Sequence, residues 1–179
     1  MKRLYVIVEG QTEQEFVNSM IAPYLLQYEI YNVTPLLIRT SKSGRGGFVN
    51  YEHLRNDVKR LLHSPKDDFV VTTFVDYFRI PDVPHKEMWG QKKIHVEQVV
   101  EMEKCMGEDI QDSRFIPYIQ MHEFEALLFA SNKGFNTYFD ENLSEQTDAI
   151  VHAYENPKDI NSTPQGAPSK RILSIKPNY

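Results

Sequence analysis

Apolar residues fall along the chain in short blocks separated by polar stretches, and their spacing changes from block to block. Leu4 to Val8 is a continuous apolar, β-branched run that stops at Glu9-Gly10, as a buried strand does. Thr12 followed three residues later by Glu15 matches a capping box and predicts a helix start. Phe16, Val17, Met20, Ile21, Tyr24 and Leu25 then recur at helical spacing, predicting one apolar face, with Pro23 kinking or shortening the helix. Val33 to Ile38 reads as a second strand and leads into a glycine-rich, basic loop from Thr40 to Gly47. Tyr51, Leu54, Val58, Leu61 and Leu62 form the stripe of a second helix, and Phe69 to Val75 is a third strand ending at Asp76.

Tyr77 to Gln91 carries two prolines and no clear period, so it reads as an irregular excursion. Lys92 to Met106 predicts a third helix closed by Gly107. Arg114 to Gln120 predicts a fourth strand near an edge, because Pro117 cannot donate to a ladder. His122 to Phe129 looks like the first turns of a helix, and a weaker helix runs from about Leu143 to Tyr154. After a proline-rich loop over Asn156 to Pro168, Ser169 predicts the N-cap of a last short helix. Strand and helix alternate, and the connections are too long for hairpins. The expectation is an α/β fold, a mostly parallel four-stranded sheet flanked by helices, in one domain over 1–179.

Composition narrows the class. The 179 residues are 41% hydrophobic and 25% charged, and ten Phe and ten Tyr supply a core, so disorder is disfavoured. No apolar run approaches the length of a membrane span, and the N-terminal run is too short for a signal peptide. The single cysteine, Cys105, rules out an intrachain disulfide and fits a reducing compartment, which points to the cytoplasm. A net charge of −5 argues against a protein whose main work is gripping nucleic acid, yet an acidic catalytic pocket contributes to such a balance.

In an open parallel sheet, ligands bind beyond the carboxyl ends of the strands. Glu9 ends the first strand, Asp76 ends the third, Glu123 follows the fourth, and Glu13 lies one turn into the first helix. Carboxylates gathered without a basic partner repel one another, so such a cluster persists around a cation. Oxygen-only ligation suits Mg²⁺ or Mn²⁺, which would polarise a phosphodiester and activate a water. Against this stands a blander account: an acid at a strand end is often a helix cap, and Glu123 in a first helical turn is accounted for by the helix dipole.

Val8-Glu9-Gly10-Gln11-Thr12-Glu13 resembles the opening motif of Toprim domains, found in topoisomerases, primases and overcoming-lysogenization-defect nucleases. Val75-Asp76-Tyr77-Phe78 with Pro81, the run His122 to Phe129, and Thr163 to Arg171 look like a bacterial Toprim-like family, domain of unknown function 4276. The resemblance implies a Toprim-like (Rossmann-like) fold, with divalent metal organised by Glu9 and Asp76. It also implies a nuclease-like role acting on DNA or RNA, in bacterial defence beside a partner ATPase. Phe78 stands where the second acid of the Toprim Asp-x-Asp motif belongs, which leaves Asp82, Glu13 or Glu123 to substitute, or a non-catalytic interaction subunit that regulates the ATPase. The family usually continues past Tyr179, so the resemblance implies that a closing helix is either missing or supplied by a partner.

Other chemistry fails or stays open. No Walker or dinucleotide glycine pattern is present, and His122-Glu123 lacks the second histidine of a zincin because Ala126 stands there. Arg39, Lys42 and Arg45 could grip a nucleic-acid backbone, or belong to a solvated connection. Lys170 and Arg171 open the last helix, where basic residues oppose the dipole and call for an anion nearby. One account gives Lys170 the charge of a phosphoryl transition state and Arg171 the substrate; the other is a surface salt bridge. Trp89, Tyr77 and Phe78 could stack on bases or anchor a long loop, and Cys105 reads as core.

Overall fold

The computed structural model describes residues 3–39, 50–65, 68–77, 82–92, 95–121, 123–160 and 166–178. Two compact units divide the chain, Met1–Gln120 and Met121–Tyr179. Among the described residues, no helix is long and apolar enough to cross a membrane.

The first unit is built on a parallel sheet of β1 (Arg3–Val8), β2 (Asn32–Leu37), β3 (Phe69–Asp76), β4 (Phe115–Ile116) and β5 (Ile119–Gln120). Strand order is β2-β1-β3-β4, with β5 also paired to β3. This is the parallel α/β fold that the alternation of patterns predicts. Val6, Ile7 and Val8 are all buried, so β1 is covered on both faces, as a central parallel strand requires.

Proline sits on both edges of the sheet. The Ile38 N–H donates to Val8 O at 3.0 Å, and the two-residue alternation then turns the Pro35 nitrogen outward, where no ladder bond is lost. On the other edge Pro117 splits the expected fourth strand into β4 and β5. Thr73 Oγ1 spans the break: it donates to Tyr118 O at 2.7 Å and accepts from Tyr118 N–H at 2.9 Å.

The first crossover is α1 (Gln11–Phe16), a π turn over Val17–Ile21, α2 (Ala22–Leu25) and a 3₁₀ turn over Leu26–Tyr28. Pro23 accounts for the π turn. In a regular helix its ring would clash with the carbonyl four residues back, and the wider turn relieves that clash. The Ala22 N–H accordingly reaches back to Val17 O. The extra residue rotates the helix and divides the expected apolar face: Val17 is buried, Ile21 and Leu25 half-buried, but Met20 and Tyr24 are exposed.

Helix α3 (Tyr51–Leu62) keeps the expected stripe, with Tyr51, Leu54, Val58 and Leu62 buried. Asn50 caps it by accepting from His53 N–H at 2.9 Å, and Asp82 Oδ1 accepts from Tyr51 N–H at 3.0 Å. A short α4 (Lys86–Trp89) lies within the irregular segment and is followed by α5 (His95–Ile110). Gly107 does not end α5 as its position suggested. The helix runs on to Ile110, which is buried, and Asp109 accepts from Tyr51 Oη at 2.9 Å and Arg55 Nε at 2.6 Å. Gln111 then takes the left-handed conformation, φ 55°, that closes the helix. Three tertiary anchors outweigh the roughly 1 kcal/mol that one internal glycine costs.

Arg114 holds the Asp112 carboxyl below its ordinary value of 3.8, through side-chain and backbone hydrogen bonds. A carboxyl lowered by folding stabilises the native state above its unfolded pKa, and that contribution vanishes as pH falls through the lowered value. Thermal stability should therefore decline as pH drops below about 4, and Asp112→Asn should flatten this decline in acid melting curves.

The second unit contains a 3₁₀ segment Phe124–Ala130, α6 (Lys133–Tyr138), α7 (Glu141–Ala153), a 3₁₀ turn Pro157–Asp159 and α8 (Pro168–Ile175). Ala126, Phe129, Phe135, Ile160 and Ile172 form its core, with Phe139, Ile150, Val151 and Tyr154 packed against them.

Candidate functional site

The parallel register brings Glu9 and Asp76 together. Val8 pairs with Phe74, so Glu9 leaves β1 beside Val75, one residue before Asp76 ends β3. Glu9 Oε1 accepts from the Asp76 N–H at 2.9 Å, across a sequence separation of 67. Glu9 is only 9% exposed, and a buried carboxylate requires such a donor. Asp76 is half-buried. Two acids thus meet at the carboxyl edge of the sheet, where parallel α/β folds bind ligands.

Glu13 is engaged otherwise. Its Oε2 accepts from Gly10 N–H at 2.9 Å, closing the N-terminus of α1. The capping residues are thus Gly10 and Glu13, two positions earlier than the Thr12 and Glu15 that the sequence suggested. A Cβ at position 10 would meet Glu13 Oε2 at 2.9 Å, so glycine is what lets the carboxylate approach. Asp82 likewise caps α3. Arg45 and Phe78 lie outside the described residues. Arg39 is exposed, and its backbone N–H donates to the buried Asp57 at 2.9 Å.

Two aromatic residues of the irregular segment, Tyr77 and Trp89, are anchors. Trp89 is buried, with its indole N–H shared between the carbonyls of Val83 at 3.3 Å and Pro84 at 3.1 Å. The Tyr77 hydroxyl bonds Gln98 Oε1, its ring lies 5.6 Å from that of His95, and burial pushes its phenol pKa up. Cys105 is a core residue whose thiol burial likewise pushes up. One polar group in the first turn of α3 escaped the sequence reading: His53 Nδ1 is buried and has no hydrogen-bond partner among the described residues. Nothing in the spacing around His53 singles it out.

In the second unit, Glu123 supplies the anion that the basic start of α8 calls for. Its Oε2 accepts from Ser169 N–H at 3.1 Å and from Ser169 Oγ at 2.7 Å. Ala167 is the residue at the cap position and its methyl group has no acceptor to offer, so the carboxylate comes from Glu123, the residue before the 3₁₀ segment Phe124–Ala130. Ser169, the expected cap, lies two residues further in as Glu123's partner. Truncating Glu123 to alanine should cost about 1–2 kcal/mol of stability, readable by chemical denaturation.

Arg171 is a clamp. Its Nε donates to Gly166 O at 2.7 Å, and its NH2 group donates to Tyr154 Oη at 2.9 Å and Ile160 O at 3.2 Å, while the guanidinium lies over the Tyr154 ring. These bonds tie Tyr154, Ile160 and Gly166 to one guanidinium and occupy the group expected to orient substrate. Lys170 is exposed on the first turn of α8.

Of the four expected metal-binding acids, Glu9 and Asp76 are joined by a hydrogen bond, whereas Glu13 and Glu123 cap helices. Among the described residues, no group of three or more His, Cys, Asp and Glu gathers in a way that could hold a metal ion. The family model described as Domain of unknown function (DUF4276) matches residues 8–179. No curated protein and no solved structure matches the chain.

Proposed function

We propose, from the premise that the chain belongs to the DUF4276 family, that it is a divalent-metal-dependent phosphodiester hydrolase acting on nucleic acid. One observation carries this reading: the buried Glu9 carboxylate bonded to the backbone of Asp76 at the carboxyl edge of a parallel sheet. A surface acid has no packing reason to be drawn under that edge, whereas an ion-binding acid must be held there. The resemblance of Val8 to Glu13 to the Toprim opening motif supports it further.

The donor set fits the ion. Mg²⁺ binds through one or two carboxylates and completes its shell with waters and substrate phosphate oxygens, and Mn²⁺ accepts the same oxygen donors. Glu9 and Asp76 would hold it, and the ion would supply Lewis-acid polarisation of the phosphodiester. The chain's own contribution is orientation. The Asp76 amide fixes one oxygen of Glu9, and the Gly10–Glu13 closure fixes the turn on which Glu9 sits.

A second reading has an observation in its favour. Glu13 and Glu123 are both committed to helix caps, which leaves two acids, and a non-catalytic subunit regulating a partner ATPase needs no more. Incubation of the purified chain with nucleotides and oligonucleotides under Mg²⁺, Mn²⁺ and EDTA separates the two. Metal-dependent cleavage of oligonucleotides supports the hydrolase, and no turnover together with stable co-purification of an ATPase supports the regulator.

A further inference from the structure

The outward face of the first crossover is apolar and uncovered. Met20 is 60% exposed, Tyr24 58%, Leu26 49%, Tyr28 58% and Tyr31 54%. Met20, Tyr24 and Tyr28 recur every fourth residue, and the Tyr24 and Tyr28 rings lie 5.6 Å apart with their hydroxyls at 3.2 Å. The π turn that Pro23 imposes creates this face, because it rotates Met20 and Tyr24 away from the sheet while Ile21 and Leu25 remain partly covered. A large apolar stripe held out to water destabilises the free chain in solution and marks a contact surface.

We propose that a second copy of this chain covers the stripe, in a two-fold symmetric pair. Charge argues for a like partner. The molecule carries a net charge of −5, which opposes self-association over most of its surface. Val17 to Tyr28, however, contains no Asp, Glu, Lys, Arg or His, so two copies can meet along it without juxtaposing like charges. Glu15 precedes this segment, and Glu29 stands between Tyr28 and Tyr31. Other exposed apolar residues lie differently: Val96 and Val100 on α5 are interleaved with Glu97, Glu101 and Lys104.

Area is consistent with a pair of this kind. Covering the five side chains would remove roughly 600 Å² per copy, or about 1,200 Å² in all, the lower end for a specific interface. The stripe is equivalent in both copies, so an isologous contact with Tyr24 near the axis uses it on both sides and closes the assembly at two. The pair should dissociate at moderate concentration and tighten with added salt, which screens the repulsion between two copies of net charge −5.

Analytical ultracentrifugation of the full chain, from low micromolar to hundreds of micromolar, tests this. The expected result is a monomer–dimer equilibrium whose dissociation constant rises roughly 30-fold or more in Tyr24→Glu, with circular dichroism and melting temperature unchanged. Should that variant fold poorly, Tyr24→Cys provides the second measurement. The native Cys105 is buried, so mild oxidation should link two copies through the new thiol, whereas Tyr24→Ser should give no linked species. A wild-type chain that stays monomeric throughout, or a Tyr24→Cys chain that yields no disulfide-linked dimer, overturns the proposal and leaves the stripe to a different partner.

Discussion

Replacing Glu9 by glutamine should abolish the proposed metal-dependent cleavage while leaving the fold in place. Glutamine keeps a carbonyl oxygen where Glu9 Oε1 accepts from the Asp76 N–H at 2.9 Å, so the strand ends remain tied. What it removes is the negative charge that would hold a divalent ion. Altering even an outer partner of a metal site costs roughly 10–100-fold, so loss of one of two charged donors should lower activity by more than about 100-fold. Asp76→Asn should match it, because its contribution to the hydrogen bond with Glu9 comes from the backbone. Glu9→Ala is the contrasting variant. It leaves the Asp76 amide without that acceptor and should cost about 1–3 kcal/mol of stability as well. Cleavage assays across a Mg²⁺ and Mn²⁺ series, with melting curves for each variant, measure both effects. Wild-type cleavage by Glu9→Gln would remove the acid pair from the mechanism.

The sheet was legible in the sequence because β1, β2 and β3 are short apolar runs bounded by turns, and their connections are too long for hairpins. The convergence of Glu9 and Asp76 was legible for the same reason: both residues end parallel strands. The roles of Glu13 and Glu123 were harder to read, because a carboxylate that caps a helix and one that binds an ion leave the same letter at the same place. Only the hydrogen bonds to Gly10 and Ser169 separate the two. The phase of the first helix was misleading for a backbone reason. Apolar spacing assumes a constant turn, and the π turn before Pro23 breaks it, moving Met20 and Tyr24 into solvent. Gly107 misled because a local signal for a helix end competes with Ile110 burial and the Asp109 bonds, which no local pattern reveals. Arg171 looked available for substrate, since its acceptors are backbone carbonyls and a tyrosine hydroxyl that sequence spacing cannot pair with it.

The same kind of long-range pairing makes Arg114 a side chain whose loss should visibly destabilise the first unit. The residue precedes β4 by one position and shows no motif, yet its guanidinium reaches back to the end of α3. There its NH2 group donates to Leu62 O at 2.7 Å and NH1 to Ser64 O at 3.0 Å, satisfying carbonyls at and beyond the helix terminus. It also pairs with Asp112 at 2.7 Å and lies over the Phe69 ring at 4.9 Å, with the side chain only 18% exposed. Arg114→Ala therefore takes the guanidinium's donors from two carbonyls and from Asp112, which keeps only its bond to the backbone N–H of residue 114, and uncovers an aromatic ring at the start of β3. Breaking a well-shielded ion pair costs about 3–5 kcal/mol, and the residual exposure brings the expectation here to about 2–4 kcal/mol. Arg114→Lys should recover little of it, because one ammonium cannot span Leu62 O, Ser64 O and Asp112 while keeping a flat face on Phe69. Urea denaturation of the three proteins decides the matter. If lysine restores full stability, charge alone accounts for the residue and the fork geometry contributes nothing.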